Sequence, residues 1–379
     1  MEKYRKYADA ATGINPFAQV RTPTGLSVAV AVLLFPLRLV SASLVALLLL
    51  LVVDVLAYAF FLLPGLSLVS RLLLAPCQRG LLRCLLFTLG NMGVVRKVPR
   101  GGSGGAAPAA GDVVVANMQS VWDMCVLEVA AQMPCCVVAF YVGGAGDKVV
   151  AGGVGGGGDD DNKRRKRDDA AALYVLEPSP LQRWRAWRHV YRTASLDFLH
   201  SVVVENSNSS TSNHSSGGAV VDLTPVQQRC QRLGVPLVFF AEGSCTNGKG
   251  MLNIPPFCTA APPRRVFVSA TDYDTTAVHT IVHPRHVVSL LFAMGASLYG
   301  SRDPAGYSPP FPTATVSLVA VAESAAAGGA GAAAGVVIDV ARVRQALCAA
   351  SRSRRPLAVG LREKCGFVQA STAQSAGGS

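Results

Sequence analysis

A chain of 379 residues that is 50% hydrophobic, only 15% charged and +12 in formal net charge has ample length for a sizeable core and a membrane segment besides. The positive excess implies anionic partners, for which the phosphates of lipids, of coenzyme A and of nucleic acid all qualify. Nucleic acid is disfavoured, because no zinc-ligand spacing, helix-turn-helix or base-stacking pattern accompanies the basic residues. The ten cysteines include no Cys-x-x-Cys pair, and Cys135 adjoins Cys136 in an apolar run, so neither a metal site nor a disulfide framework is expected. They read as reduced, buried thiols of a domain facing the cytosol.

Residues 1–25 are polar and mixed in charge, too long for the first region of a signal peptide, and read as a retained cytosolic arm. The segment 26–65 holds an apolar run longer than the roughly 20 residues a single span needs, with Pro36, Arg38, Asp54 and Pro64 inside it. It reads either as one span around 40–53 or as two half-spans forming a hairpin within one leaflet. Lys3, Arg5, Lys6 and Arg21 precede it, and Arg71, Arg79, Arg83, Arg96 and Lys97 follow. Positive charge on both flanks favours both ends in the cytosol, and so the hairpin. In 66–111, apolar patches broken by single arginines suit either helices at a membrane interface or an ordinary core helix, followed by a Gly/Ala/Ser linker.

Residues 112–350 read as one α/β domain. A short apolar strand at 113–116 ends in the polar stretch Asn117-Met118-Gln119-Ser120-Val121-Trp122-Asp123, which runs into an apolar segment at 124–133. After a strand at 137–142, residues 143–172 break into glycines, an acidic run and a basic run, and read as a disordered insert; 206–218, rich in Ser and Asn, reads as another. Between the inserts, helical spacing puts Trp184, Trp187 and Tyr191 in one stripe and Arg185, Arg188 and Arg192 in the next. That pattern suits a lipid headgroup boundary, or equally a helix whose aromatics pack on the sheet with its arginines in water. A run at 235–241, opened by Pro236 and too short for a helix, then delivers Glu242 into the turn Gly243-Ser244-Cys245-Thr246-Asn247-Gly248-Lys249. A buried strand hands a reactive group to a cleft in this way. Further strands are expected at 266–270, 278–282 and 316–322, a low-complexity stretch at 325–335 and a short helix at 340–350. Residues 351–379 read as a basic, then low-complexity tail.

The two polar strand ends resemble the hallmark boxes of the glycerolipid acyltransferases, the lysophosphatidic acid acyltransferase family. Asn117 to Asp123 is similar to Asn-His-x-x-x-x-Asp with Met118 at the histidine position, and Phe240-Ala241-Glu242-Gly243-Ser244 to Phe-Pro-Glu-Gly-Thr. Met1-Glu2-Lys3-Tyr4, Thr12-Gly13-Ile14-Asn15-Pro16-Phe17 and the apolar block are similar to a fungal branch of that family, found on endoplasmic reticulum and lipid droplets. In that branch too the histidine is replaced and the second box ends in Asn-Gly-Lys, as at Asn247 to Lys249. The resemblance implies an α/β fold with a mixed sheet flanked by helices and an N-terminal membrane-embedded helical segment. It implies transfer of a long acyl group from acyl-CoA, as co-substrate, to lysophosphatidic acid, with no metal or other cofactor, at the cytosolic face of a membrane or droplet.

Carried over residue by residue, Asp123 is the surviving half of a His–Asp pair, with Ser120 beside it. Glu242, Gly243 and Ser244 form the acceptor-binding turn, which Asn247 and Lys249 extend. Cys245 stands where many members have arginine, and Lys249 can supply that charge. Two rival readings accompany these assignments. Ser120-x-x-Asp123 ahead of an apolar run is also a helix-capping box, and the whole chain can be a catalytically silent lipid-binding member of the same fold.

Overall fold

The computed structural model describes residues 2–18, 26–56, 74–89, 93–97, 107–131, 136–145, 171–179, 181–195, 220–260, 265–273, 313–321, 336–351 and 354–376, with a few single positions between them. The strand expected at 278–282, the basic run 163–167, the insert 206–218 and the low-complexity stretch 325–335 lie outside the described residues.

Seven strands form a mixed sheet. In spatial order they are β1 (Gly93–Lys97), β10 (Thr313–Val321), β9 (Val266–Tyr273), β2 (Val113–Ala116), β6 (Leu237–Phe240), β3 (Val137–Ala145) and β4 (Ala171–Leu176). The inner four, β9, β2, β6 and β3, are mutually parallel, while β10 and β4 are antiparallel to their inner neighbours. Shorter strands β5 (Val221–Asp222), β8 (Phe257–Thr259) and β11 (Val336–Ile338) make a second sheet, and β7 (Gly250–Met251) pairs with β12 (Arg355–Pro356).

The unbroken apolar runs of β2 and β6 follow from burial on both faces, as parallel strands require. Val114, Ala116, Val238 and Phe240 face one core and Val113, Val115, Leu237 and Phe239 the other. On the first side lie α1 (Leu26–Leu48), α2 (Ala75–Thr88), α3 (Asp123–Ala131) and α4 (Gln182–Arg192); on the second lie α5 (Thr224–Leu233) and α6 (Val340–Ala350). The helix expected at 340–350 is therefore present, capped by Asp339, whose Oδ1 accepts the Ala341 and Arg342 N–H groups.

Residues 361–376, which composition alone reads as tail, form α7 (Leu361–Ala376). Cys365, Phe367 and Val368 of this helix are buried against Phe17, Leu252 and Leu357, and Tyr7 meets Phe367 edge-on. The two chain ends thus close over each other: Asp9 accepts the Ala358 N–H at 2.9 Å. The thiols also differ from expectation, since Cys77 and Cys84 on α2 are exposed.

α1 continues as a π-helical turn, Leu49–Asp54. Leu33–Asp54, with a mean hydropathy of 2.4 over 18 of its residues and only Ala42, Leu49 and Val53 buried, is long and apolar enough to cross a membrane. Its 22 residues rise about 33 Å, against a hydrocarbon core of about 30 Å. Leu33, Leu37, Val40, Leu44, Leu47 and Leu51 make an exposed apolar stripe along it, while Ala42, Leu49 and Val53 pack on the domain. Helix runs without a break through residues 26–56, so two half-spans do not divide them; most of 57–65, the rest of the segment read as a hairpin or a single span, lies outside the described residues.

One buried ion cluster ties these helices together. Arg183 of α4 pairs with Asp54 at the end of the apolar stretch and with Glu128 of α3 at 2.7 Å, and the Gln78 side-chain amide of α2 donates to Glu128 at 2.9 Å. Burial opposes the guanidinium charge, but the Glu128 and Asp54 carboxylates outweigh it and push the Arg183 pKa up. No arginine of 183–192 was singled out by the sequence; this one is structural.

Candidate functional site

β2 and β6 lie side by side in parallel register, Val113 opposite Leu237 and Ala116 opposite Phe240, so both polar boxes leave the sheet at its carboxyl edge. Open α/β sheets bind ligands at that edge. Asn117 prolongs the ladder, its side-chain amide accepting from Thr271 N–H at 2.7 Å and donating to Thr271 O at 3.3 Å. One residue on, the Met118 N–H donates to Glu242 Oε2 at 2.7 Å, and the Leu252 N–H donates to Glu242 Oε1 at 3.0 Å. Glu242, 1% exposed, is thus a brace between the first box and the segment after the second. Burial raises its pKa, against the opposing pull of Arg354 and the two N–H groups.

Ser120 and Asp123 form the capping box that the sequence allowed. Asp123 Oδ2 accepts the Gln119 and Ser120 N–H groups at 2.5 and 2.8 Å, and Ser120 Oγ accepts the Trp122 N–H at 3.3 Å. Asp123 does more than cap, because its Oδ1 also accepts from the Tyr273 hydroxyl at 2.6 Å. Burial pushes its pKa up to about 6 in spite of these donors. An ionised carboxylate offers about four lone-pair sites, and three are filled. Met118 is fully buried and lines, with Asp123, Phe140, Phe240 and Ala186, a cavity of about 10 Å³, room for one water at most.

The second box is held from behind. Gly243 has φ +68°, and a Cβ there would stand 2.7 Å from the Tyr141 carbonyl oxygen. Gly243→Ala is expected to cost at least about 1–2 kcal/mol from the left-handed backbone alone, with the clash adding to it, and denaturant unfolding of the detergent-solubilised variant measures this. Ser244 Oγ donates to Thr193 O at 2.9 Å and accepts from Lys364 Nζ at 2.5 Å; the same amine donates to Cys245 O at 2.7 Å. Asn247 Nδ2 donates to Asn15 O and Ala18 O at 2.9 and 2.8 Å, fastening the N-terminal arm to the turn. Lys249 is exposed.

Five of the seven candidates, Ser120, Asp123, Glu242, Gly243 and Ser244, therefore gather at the paired strand ends. Asn247 is occupied by the arm, and Lys249 is exposed. Three residues the sequence left unmarked complete the site: Tyr273, Arg354 and Lys364. Arg354 donates to Thr271 O at 2.5 Å and to the Gln119 side-chain oxygen, and its charge pulls down the pKa of both Asp123 and Glu242. Lys364 brings a cation to the turn in which Cys245 replaces the arginine of the resembled family. A signal for it existed, since Lys364 shares one helical stripe with Phe367 and Val368.

Burial lowers the Lys364 pKa to about 8, from 10.5. Between those values the unfolded chain holds a proton that the native state lacks, so native stability rises with pH across that window. Against Lys364→Met, the wild-type chain is expected to gain roughly 3 kcal/mol between pH 8 and 10.5, read as the difference between the two denaturation curves.

His189 is the only histidine among the described residues. It stacks on Tyr174 at 4.2 Å and lies tilted against Phe140 at 4.7 Å, and burial, then Arg192, lowers its pKa to about 3. It is held neutral and makes a poor base. No group of three His, Cys, Asp or Glu residues suited to a metal ion occurs among the described residues. Comparisons with protein-family models, with curated proteins and with solved structures each find no match to this chain.

Proposed function

We propose that the protein is a membrane-anchored acyltransferase that moves a long acyl group from acyl-CoA to the free hydroxyl of lysophosphatidic acid. The observation that carries this reading is the pairing of two box-bearing strand ends, joined by Glu242 and lined by Asp123. The resemblance of those boxes to the glycerolipid acyltransferases supplies the substrate class. In the reaction the acceptor oxygen attacks the thioester carbon, the C–S bond breaks, and the hydroxyl proton passes through a base to the departing thiolate. With Met118 unable to accept a proton, Asp123 is the base, its raised pKa bringing a carboxylate closer to the working pH. Lys364 and Arg354 supply positive charge near the phosphate-bearing substrates. The apolar helix anchors the chain in the endoplasmic reticulum or on a droplet, with the α/β domain in the cytosol.

Labelled oleoyl-CoA and lysophosphatidic acid given to the purified full chain test this directly. Transfer is expected to rise with pH through a midpoint near 6, because the base acts only when deprotonated. Asp123→Asn should remove that rise and about 10²–10⁴-fold of the rate. A second reading has its own observation: Met118 fills the base position and leaves a cavity of about 10 Å³, which suits a silent lipid-binding protein of the same fold. Absence of transfer at every pH, with binding to anionic vesicles intact, would select it.

A further inference from the structure

We propose that the outer face of α4 is a second membrane contact, seated on the headgroups of an anionic lipid surface beside the end of the apolar helix. The proposal rests on α1 lying in a bilayer and is independent of acyl transfer. Its first support is position. Arg183, in the first turn of α4, is paired with Asp54, the last residue of the stretch long enough to span. The start of α4 is therefore held beside the end of that apolar helix.

Its second support is the composition of the face. At 100° per residue, Leu181, Trp184, Arg185, Arg188, Tyr191 and Arg192 fall within about 120° of one another, and all are exposed. The opposite side, with Ala186, His189 and Val190, is buried. Were the aromatics there to fill the core, all three would be covered. Only Trp187 packs inward, edge-on to Trp122 at 5.2 Å, while Trp184 remains 64% and Tyr191 42% exposed. α4 carries no acidic residue. Indole and phenol rings interleaved with guanidinium groups match a headgroup layer, whose phosphates pair with arginine while its glycerol region accepts amphipathic rings. An acidic protein groove would answer the charge but not the location at the foot of an apolar helix.

The test uses the full chain reconstituted into vesicles containing phosphatidylserine, with lipids brominated near the headgroup as quenchers. Trp184→Phe, at an exposed position, isolates the Trp184 signal by difference, with Trp122 and Trp187 as the internal control. The Trp184 component is expected to fall about twofold or more, as a ring within the interface would. That loss should shrink without phosphatidylserine, or in R185Q/R188Q/R192Q. An unquenched Trp184 in vesicles that carry the protein would overturn the proposal. So would quenching that ignores both the anionic lipid and the three arginines. A chain that does not float with vesicles at all would remove the anchoring on which the proposal rests, leaving the transfer assay in detergent to judge the enzyme separately.

Discussion

Met118→His is expected to raise acyl transfer by up to about 10²–10⁴-fold, the full worth of a positioned general base, as an imidazole takes over the proton from the hydrogen-bonded Asp123. Imidazole is close to the thioether in volume, so the fully buried site accepts it without overpacking. Asp123 lines the same cavity and has one lone-pair site left with which to orient a ring N–H. Met118→Ala, by contrast, should change the rate little, because no proton passes through a sulfur ether. The pH profile adds a second check. In Met118→His the midpoint should move from near 6 towards that of an imidazole beside a carboxylate. A Met118→His enzyme no faster than wild type, though folded, would place the chemistry away from this box.

Glu242→Ala is expected to abolish transfer and to destabilise the fold by about 2–6 kcal/mol, since it orphans two buried N–H groups at about 1–3 kcal/mol each. Those groups belong to Met118 and Leu252, so both boxes lose their common brace. The loss of the Glu242 charge also leaves Lys364 and Arg354 opposed by one buried carboxylate fewer. Part of the cost is offset because a desolvated carboxylate is itself unfavourable, which is why its pKa is raised. Glu242→Gln keeps one acceptor but turns an NH₂ towards the other N–H, so it should lie between wild type and alanine. Unfolding in denaturant separates loss of brace from loss of chemistry. If Glu242→Ala unfolded at the wild-type midpoint and retained transfer, the brace would have no role.

Much of the sheet edge was legible in the residues alone. A parallel strand buried on both faces demands a run of apolar residues stopped by turn formers, and 113–116 and 237–240 are such runs. The carboxylates Asp123 and Glu242 mark their ends. The capping box was equally legible, because all its contacts fall within four residues. So was the apolar helix, whose requirement is only length and hydropathy.

The role of Glu242 was not legible, because its partners are backbone N–H groups 124 and 10 residues away, and a peptide group has no sequence identity. Tyr273 reaches Asp123 across 150 residues and Lys364 reaches Ser244 across 120; only packing brings such pairs together. Composition made 351–379 a tail, yet α7 is held by burying its Cys365, Phe367 and Val368 under the N-terminal arm, a surface that exists only once both chain ends are folded. Exposure of Trp184 rather than Trp187 was likewise settled by tertiary packing, which brings Trp187 edge-on to Trp122 and leaves Trp184 outside.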